Sequence, residues 1–292
     1  MSNFLLPILE DESISKYTNK TGKLKQPKSI LNRKGPFKFI NTISRKINKS
    51  TISLNQDELS IFYRYVEYSK IRFDQENIDH LNALNRLYES VFNKKSDNCL
   101  NDKEWERIGF QVPTPQTDFR SGGLLSLFAI IDFADKKKLL LQDTIEFFNK
   151  YENFFLACTV ISATLFLKTY LHFGVYDTYS NKIHKKKVSS QKAIKFFFNF
   201  GNDTFEQSLS IFFKLVSVYT EKLFSFWKKN CIANEKITIL DFNTAENSYK
   251  DHFIELFETA AEKANKTVTQ DIDSFCDDFK NTELVIKIKP FI

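Results

Sequence analysis

The chain has 292 residues, of which 42 are Lys or Arg and 36 are Asp or Glu, and 15% are aromatic. This length suits one large domain or two small ones. Only seven glycines and six prolines are present, so the tight turns of a many-stranded β protein are hard to build and a helical fold is favoured. Neither GxGxxG nor GxxxxGK[ST] occurs in the sequence, which excludes nucleotide binding through either loop.

Cysteines and histidines are few and widely spaced. The four cysteines form no CxxC pair, and the four histidines form no HxxxH or HExxH pair. We therefore expect reduced thiols, and neither a metal site nor a bound cofactor.

Targeting signals are weak. Residues 4–9 are apolar but lack a preceding basic region and run into acidic residues, unlike a secretion signal. The longest apolar stretch, residues 154–167, is 14 residues long and is too short to span a bilayer, which takes about 18 or more. It predicts a buried core helix, and we expect a cytoplasmic protein that can reach membranes only peripherally.

Positive charge is concentrated near the N-terminus. Residues 16–49 carry eleven bases and no acid, whereas residues 1–15 carry three acids and no base. We predict a mostly disordered basic arm over residues 1–55. It either contacts an anionic membrane surface or only improves solubility. We expect no nucleic-acid partner, because no known nucleic-acid-binding fold accompanies the charge.

Helical periodicity begins near residue 57 and continues through most of the chain. It predicts an all-α bundle, a single helical domain over residues 56–280, with a C-terminal tail over 281–292. Within that tail, residues 284–289 alternate like a strand. The predicted helical runs are 57–71, 78–92, a short helix before 109, 122–138, 142–173 with a break, 190–230 with a break near Gly201, and 244–279.

Two aromatic features of the later helices are interpreted as core. Residues 196–200 contain four phenylalanines, and consecutive side chains point around most of a helix. A long apolar stripe runs from Phe205 to Trp227 and is followed by two lysines, as expected for the C-terminal turn of a buried helix.

Glycine and proline residues are concentrated in the loop between the short helix and the next long helix. Five of the 13 glycines and prolines lie between residues 109 and 123. We expect Gly109 to end the short helix, and Thr117 or Asp118 to cap the following one. Arg120 would then stand in the first turn of that helix, where exposed amides disfavour a cation. Such a position requires a compensating partner.

The residues of this segment carry a family resemblance. The pattern Trp105-x-x-Ile108-Gly109-Phe110-Gln111, then Pro115-x-Thr117-Asp118-Phe119-Arg120, then Gly123-x-Leu125 resembles the signature of the ELMO (engulfment and cell motility) domain family. Residues 151–167 and 205–227 are similar to later helices of that family. The resemblance covers roughly residues 60–260.

The resemblance implies one of two functions. In the compact ELMOD-type branch, the domain is a GTPase-activating protein (GAP) for Arf/Arl-family small GTPases, and the arginine after Asp-Phe is the proposed catalytic residue. In the large engulfment proteins, which lack that arginine, it is a scaffold for Dock-type Rac exchange factors. Because Arg120 is present, the chain resembles the first branch. We expect an enzyme activator without a substrate pocket of its own; the alternative is a non-catalytic scaffold or effector in cytoskeletal or phagocytic signalling.

The resemblance also assigns roles to residues. Arg120 would be the catalytic arginine supplied in trans; alternatively it is a structural strut, paired with an acid or capping loop carbonyls. Gln111 could orient water or hydrogen-bond the loop backbone. The partner-binding loop comprises Gln111, Thr117, Asp118 and Arg120, and the structural motif comprises Trp105, Gly109, Phe110, Phe119 and Gly123.

Three positions depart from the family pattern. Val112 and Ser121 stand where the family usually has glycine, and Thr114 where it has aspartate. Losing glycine at 112 and 121 removes backbone freedom beside Arg120. A member that binds a GTPase without activating it is therefore the open alternative.

Overall fold

The computed structural model describes residues 54–173, 190–200, 204–264 and 271–282. Residues 1–53 of the predicted basic arm, the break near Gly201 and the strand-like residues 284–289 lie outside these ranges. Within them, all regular structure is helical, which confirms the all-α fold. The α-helices are α1 (Gln56–Tyr68), α2 (Ile78–Phe92), α3 (Gly123–Lys136), α4 (Lys138–Tyr151), α5 (Leu156–Tyr170), α6 (Gln191–Phe198), α7 (Phe205–Ala233), α8 (Ile239–Ala264) and α9 (Ile272–Asn281).

Two 3-10 helices, Lys103–Ile108 and Pro115–Arg120, lie between α2 and α3. The first is the short helix that was predicted before Gly109. The second was not predicted, and it occupies the loop that carries Arg120.

Local capping explains where the first helices begin. The Asn55 side chain accepts from the Glu58 amide, and the Glu58 carboxylate accepts from the Asn55 amide, which is a complete capping box. The side chain of Asn77 caps α2 by accepting from the amides of Asp79 and His80, and Asn93 ends that helix in the left-handed conformation. The predicted range 78–92 is therefore confirmed to the residue.

The predicted start of the fourth helix at 142 was wrong, because α4 begins at Lys138. Leu139 in its first turn is 84% exposed, so the apolar periodicity used for the prediction starts late. The predicted break within 142–173 is confirmed. It follows Tyr151, where Glu152 takes a left-handed backbone with φ of 49°.

Helix α3 lies at the centre of the bundle. Every residue from Gly123 to Ala134 is buried, and the helix packs against α2, α5 and α7. Helix α5 in turn packs against α7, and most of its residues are buried, which confirms the predicted core helix. Because α3 begins just after Arg120, the most buried element of the fold sets where the Arg120 loop ends.

Aromatic side chains fill much of the core, as the sequence predicted. The rings of Tyr65 and Phe173 stack with centroids 4.1 Å apart, and Phe196, Phe197 and Phe198 are all buried. Trp227 is fully buried. Its indole N–H donates to the carbonyl oxygen of Asn153 at 2.9 Å, so its single polar atom is satisfied.

No helix in the described ranges is by itself long and apolar enough to cross a membrane. Helices α4 and α5 meet the length and composition requirement only when taken together, and they are bent by 120° at the break between them. Within the same ranges, no three His, Cys, Asp or Glu side chains are grouped so as to hold a metal ion.

Candidate functional site

The first 3-10 helix is fixed at both ends. At its start, the Asp102 carboxylate accepts from the Glu104 amide at 3.0 Å and from the Tyr88 hydroxyl at 2.7 Å. These hydrogen bonds lower the pKa of Asp102, since they favour its charged form. At its end, Gly109 has φ of 85°, a left-handed conformation that favours glycine. The prediction that Gly109 ends a short helix is confirmed.

Gly109 also makes the closest contact between this segment and the core. A Cβ atom at this position would lie 2.4 Å from the Cα of Phe155 and 2.5 Å from the backbone nitrogen of Leu156. The amide of Cys158 donates to the carbonyl of Gly109 at 3.3 Å. The loop therefore meets the first turn of α5 backbone to backbone, a contact that any side chain would prevent.

A row of buried rings holds the rest of the loop. Trp105 and Phe110 meet edge to face at 5.3 Å, and Phe110 and Phe119 do so at 5.7 Å. All three are at most 1% exposed. The Trp105 indole N–H donates to the carbonyl of Cys99 at 2.8 Å. Edge-to-face pairs add stability beyond burial of apolar area, so the loop is anchored by three aromatic side chains along its length.

The expected helix caps at Thr117 and Asp118 were wrong. Both residues lie inside the second 3-10 helix, which begins with Pro115, and α3 starts only at Gly123 with Gly122 before it. Proline sets the backbone angle of a first helical turn and lacks the amide that would need a partner. A separate turn therefore forms where a continuous helix was expected.

Thr117 and Asp118 close the loop on itself. The Thr117 hydroxyl donates to the carbonyl of Thr114 at 2.9 Å. The Asp118 carboxylate accepts from the backbone amide of Gln111 at 2.9 Å, across seven residues. Burial raises the pKa of Asp118, although this hydrogen bond and the nearby charge of Arg120 oppose the rise. The Asp118 contact thus joins the two sides of the loop, and the Thr117 contact closes the turn between them.

Arg120 is the last residue of the second 3-10 helix rather than a first-turn residue of α3. A cation at the C-terminal end of a helical turn faces carbonyl oxygens and is favoured there, so the expected electrostatic conflict does not arise. Its Nε–H donates to the carbonyl of Thr117 at 2.7 Å. The side chain is exposed.

Only one of the donor groups of the Arg120 guanidinium, Nε, hydrogen-bonds to the described part of the chain. Nε caps the loop, as the strut hypothesis expected, but among residues of the four described ranges Arg120 forms no ion pair, not even with Asp118. The terminal Nη groups thus have no hydrogen bond to the described part of the chain. They remain available to an anion brought by another molecule.

Comparison with known proteins bears on this loop directly. The model of the ELMO/CED-12 family matches residues 64–246, which includes both 3-10 helices and all of α2 to α7. The chain belongs to the ELMO/CED-12 family. The resemblance carried by the Trp105 to Leu125 motif is therefore confirmed.

Several curated relatives are ELMO domain-containing proteins. Identity is 32% over 74 residues with ELMO domain-containing protein 2 of Homo sapiens, covering 24% of this chain and 25% of that protein. It is 30% over 110 residues with ELMO domain-containing protein B of Dictyostelium discoideum, covering 37% and 39%. It is 33% over 73 residues with ELMO domain-containing protein 3 of Mus musculus, covering 25% and 19%. The chain thus matches well under half of each relative. No solved structure matches.

The departures from the ELMO motif leave the backbone unstrained. Val112 and Ser121, which replace glycines, both have negative φ, and at Ser121 φ is −88°. Val112 and Ser121 therefore adopt these conformations without strain, and the loss of backbone freedom beside Arg120 stays a prediction. The glycines that the loop does require are Gly109 and Gly123, both with positive φ.

Gln111 lies at the entrance of the loop with an exposed side chain. Burial raises the pKa of the neighbouring Cys158 thiol to about 12, a rise that Asp118 adds to and a hydrogen bond from the Gln111 side chain opposes. The thiol is therefore protonated at neutral pH and is a poor nucleophile. The backbone amide of Gln111 bonds Asp118, so Gln111 is tied to the far side of the loop through its main chain.

Sequence reasoning missed Lys168, which lies beneath the loop. It is on α5 and only 6% exposed. Its Nζ lies 3.4 Å from the carbonyl oxygen of Ser69 and 3.5 Å from that of Ser121. Burial lowers its pKa to about 8. Helical spacing could have revealed it, because Lys168 follows Ile161 and Thr164 on one buried face.

We predict that Gly109→Ala destabilises the protein by about 2 to 4 kcal/mol, since the new Cβ requires both a strained φ and displacement of α5. Urea unfolding followed by circular dichroism measures the loss. Glu106→Ala, three residues away and exposed, is the matched control and should change the free energy of unfolding by less than about 0.5 kcal/mol. Equal stability of the two variants would contradict the close backbone contact.

We predict that Lys168 makes the stability depend on pH. Its pKa falls from 10.5 to about 8 on folding, so the cost of burying the ammonium is fully present below pH 8 and is relieved as pH rises toward 10.5. The free energy of unfolding of the wild type minus that of Lys168→Met should therefore rise over this window, by at most about 1.4 kcal/mol per pH unit.

The same unfolding series on Lys138→Met, at an exposed position, controls for the loss of one lysine. A flat difference for Lys168→Met between pH 7 and 10 would show that this ammonium is as well solvated in the folded protein as in the unfolded chain.

Proposed function

We propose that this ELMO-family chain is a GTPase-activating protein for an Arf/Arl-family small GTPase, and that Arg120 enters the nucleotide site of its partner. The observation that carries the proposal is the exposed Arg120 guanidinium, whose Nη groups have no partner among the described residues. In this role the chain would act on a GTP-bound partner and would need no nucleotide of its own.

The chemistry explains why an arginine is used. Hydrolysis of GTP develops negative charge on the transferred phosphoryl group and on the bridging oxygen. A guanidinium supplied by a second protein stabilises that charge and accelerates the reaction by roughly 10³ to 10⁵-fold. Lysine cannot replace it well, because its single ammonium lacks the planar fork of donors that fits phosphate oxygens.

The loop geometry supports a preorganised arginine. The Nε hydrogen bond to Thr117 fixes the plane of the guanidinium near its root, and Phe119, directly before Arg120, is buried. A side chain that is already oriented loses less conformational entropy when it meets its partner. The Nη groups are then the part left to interact with phosphate.

The neighbouring exposed residues would form the rest of the partner contact. Gln111 and Val112 are exposed on the same loop, and Thr117 and Asp118 are half-buried. We assign the GTPase contact to this partner-binding loop. For Gln111 we favour a role in loop structure over one in orienting water, supported by the hydrogen bond of its backbone amide to Asp118.

A second function uses the same surface without catalysis. The hydrogen bond from Arg120 to the Thr117 carbonyl is what a structural strut would make. A scaffold or effector that binds a small GTPase or a Dock-type Rac exchange factor would need the loop shape and not the chemistry of the guanidinium. The two functions differ in what an Arg120 variant does to hydrolysis and to binding.

The test is single-turnover GTP hydrolysis by a panel of Arf and Arl GTPases, with wild type, Arg120→Lys and Arg120→Ala. We predict that each variant lowers the stimulated rate by about 10²-fold or more while binding of the GTP-bound partner changes little. Arg107→Lys is the matched control. Arg107 is also exposed on a 3-10 helix, but it pairs with Glu104.

Circular dichroism and thermal unfolding establish that each variant is folded. If the wild type binds a GTPase without accelerating hydrolysis on any panel member, the scaffold function takes the place of GTPase activation. If Arg120→Lys retains the full rate, the GAP assignment survives but Arg120 is not the group at the phosphate.

The basic segment suggests where the protein acts. We propose that residues 16–49, with eleven bases and no acid, contact an anionic membrane surface, each near-surface charge contributing on the order of 1 kcal/mol. Replacing Lys23, Lys25 and Lys28 by glutamine should weaken binding to phosphatidylserine vesicles by about tenfold or more in low salt. Vesicle flotation measures this.

Replacing three exposed lysines of the helical domain, Lys95, Lys103 and Lys138, provides a control of equal charge. If both triple variants bind vesicles as the wild type does, the basic segment serves solubility and not membrane contact.

A further inference from the structure

Two chain segments run side by side beneath Arg120. One is the stretch after α1, residues 69–72, and the other is the junction into α3, residues 121–124. The Leu124 amide donates to the Ile71 carbonyl at 3.0 Å. Gly123 has φ of 63°, and a Cβ there would lie 2.4 Å from the same carbonyl oxygen. Gly123 and Leu124, which follow Arg120 by three and four residues, thus form a close backbone junction with Ile71.

The Lys168 side chain reaches this junction from a third element, α5. Its Nζ approaches one carbonyl of each segment, Ser69 at 3.4 Å and Ser121 at 3.5 Å. Where the structure describes the chain, no carboxylate pairs with this buried ammonium, and desolvation is the cause that lowers its pKa. Burying a cation without a counter-ion opposes folding.

Burial of the Lys168 ammonium therefore destabilises the fold, yet its contacts join two particular carbonyl groups. An apolar side chain of similar length, such as Met, would fill the same volume without the cost of removing a charge from water. What Met cannot do is donate to the two carbonyls. Lysine at this position is thus explained by the junction that it joins and not by general core packing.

We infer that Lys168 is a positioning residue for Arg120: by bridging the carbonyls of Ser69 and Ser121 it holds the C-terminal end of the Arg120 turn against the end of α1. Ser121 is bonded directly to Arg120, so the bridge limits the directions in which the arginine can leave the surface. The link to catalysis rests on the proposed GAP function, whereas the bridge itself does not.

The direct test measures amide hydrogen exchange in the free protein, by mass spectrometry of peptides that cover residues 66–73 and 118–126. Lys168→Met should exchange about tenfold faster in both peptides while the other helices are unchanged, since local opening needs only the lost bridge. Lys168→Gln is the second variant and is used if the Met variant does not fold. Its uncharged side chain is shorter and does not reach both carbonyls, so it should show the same local change.

Lys250→Met is the matched control. Lys250 is a partly buried lysine of α8 paired with Glu246, and its replacement should leave both peptides unaffected. Unchanged exchange in the two peptides would overturn the inference, because it would show that the bridge does not hold the junction. Faster exchange throughout the bundle would also overturn it, because Lys168 would then stabilise the whole fold and not this junction.

Single-turnover kinetics extend the test to function. With a GTPase that the wild type activates, Lys168→Met should lower the maximal stimulated rate by about tenfold and leave the half-saturating concentration within about threefold, because the arginine is misplaced while the partner surface remains. An unchanged maximal rate alongside local loosening would overturn the positioning role. If the wild type activates no GTPase, the GAP proposal fails, and the exchange experiment still decides whether Lys168 holds the junction.

Discussion

The backbone contact between Gly109 and the first turn of α5 is the constraint on which the rest of the site depends. With a Cβ only 2.4 Å from the Phe155 Cα, no other residue fits without moving a core helix. From this point the chain is held by Trp105, Phe110 and Phe119, all buried, until it enters α3. The contact with α5 and these buried aromatic side chains therefore fix the shape of the loop between Gly109 and Gly123. What remains outside is a short polar surface that ends in Arg120.

Two cationic side chains, one exposed and one buried, lie near the end of that loop. Arg120 is exposed and stands where carbonyl oxygens favour a positive charge, so its placement is electrostatically easy. Lys168 is buried near the carbonyl of Ser121. Burial disfavours its charged form and lowers its pKa. A protein selected only for stability would not keep such a lysine. Its Nζ lies within hydrogen-bonding distance of the Ser69 and Ser121 carbonyls, and Ser121 directly follows Arg120 in the loop that carries the family motif.

The sequence predicted elements well where local chemistry and periodicity agree. For α2, the Asn77 cap, a clear apolar stripe and a left-handed Asn93 all act within a few residues, and the prediction was right at both ends. The Arg120 segment failed because two local signals conflict. Thr117 and Asp118 are good capping residues in isolation, but Pro115 starts a 3-10 turn that places them inside it. The carboxylate of Asp118 then bonds the Gln111 amide seven residues away, a partner that no local rule identifies.

By itself, the sequence determined the helical class, the aromatic core and membership of the ELMO/CED-12 family, because composition, helical periodicity and a short motif each depend only on residues close together in the chain. Only the tertiary structure decided that Arg120 is exposed without an ion pair in the described ranges, that Val112 and Ser121 adopt their backbone conformations without strain, and that Lys168 reaches Ser121. These properties depend on burial and on contacts between α1, α5 and the loop. Residues 69, 121 and 168 are far apart in sequence, and only the packing of α5 against the end of α1 and the start of α3 brings them within hydrogen-bonding distance.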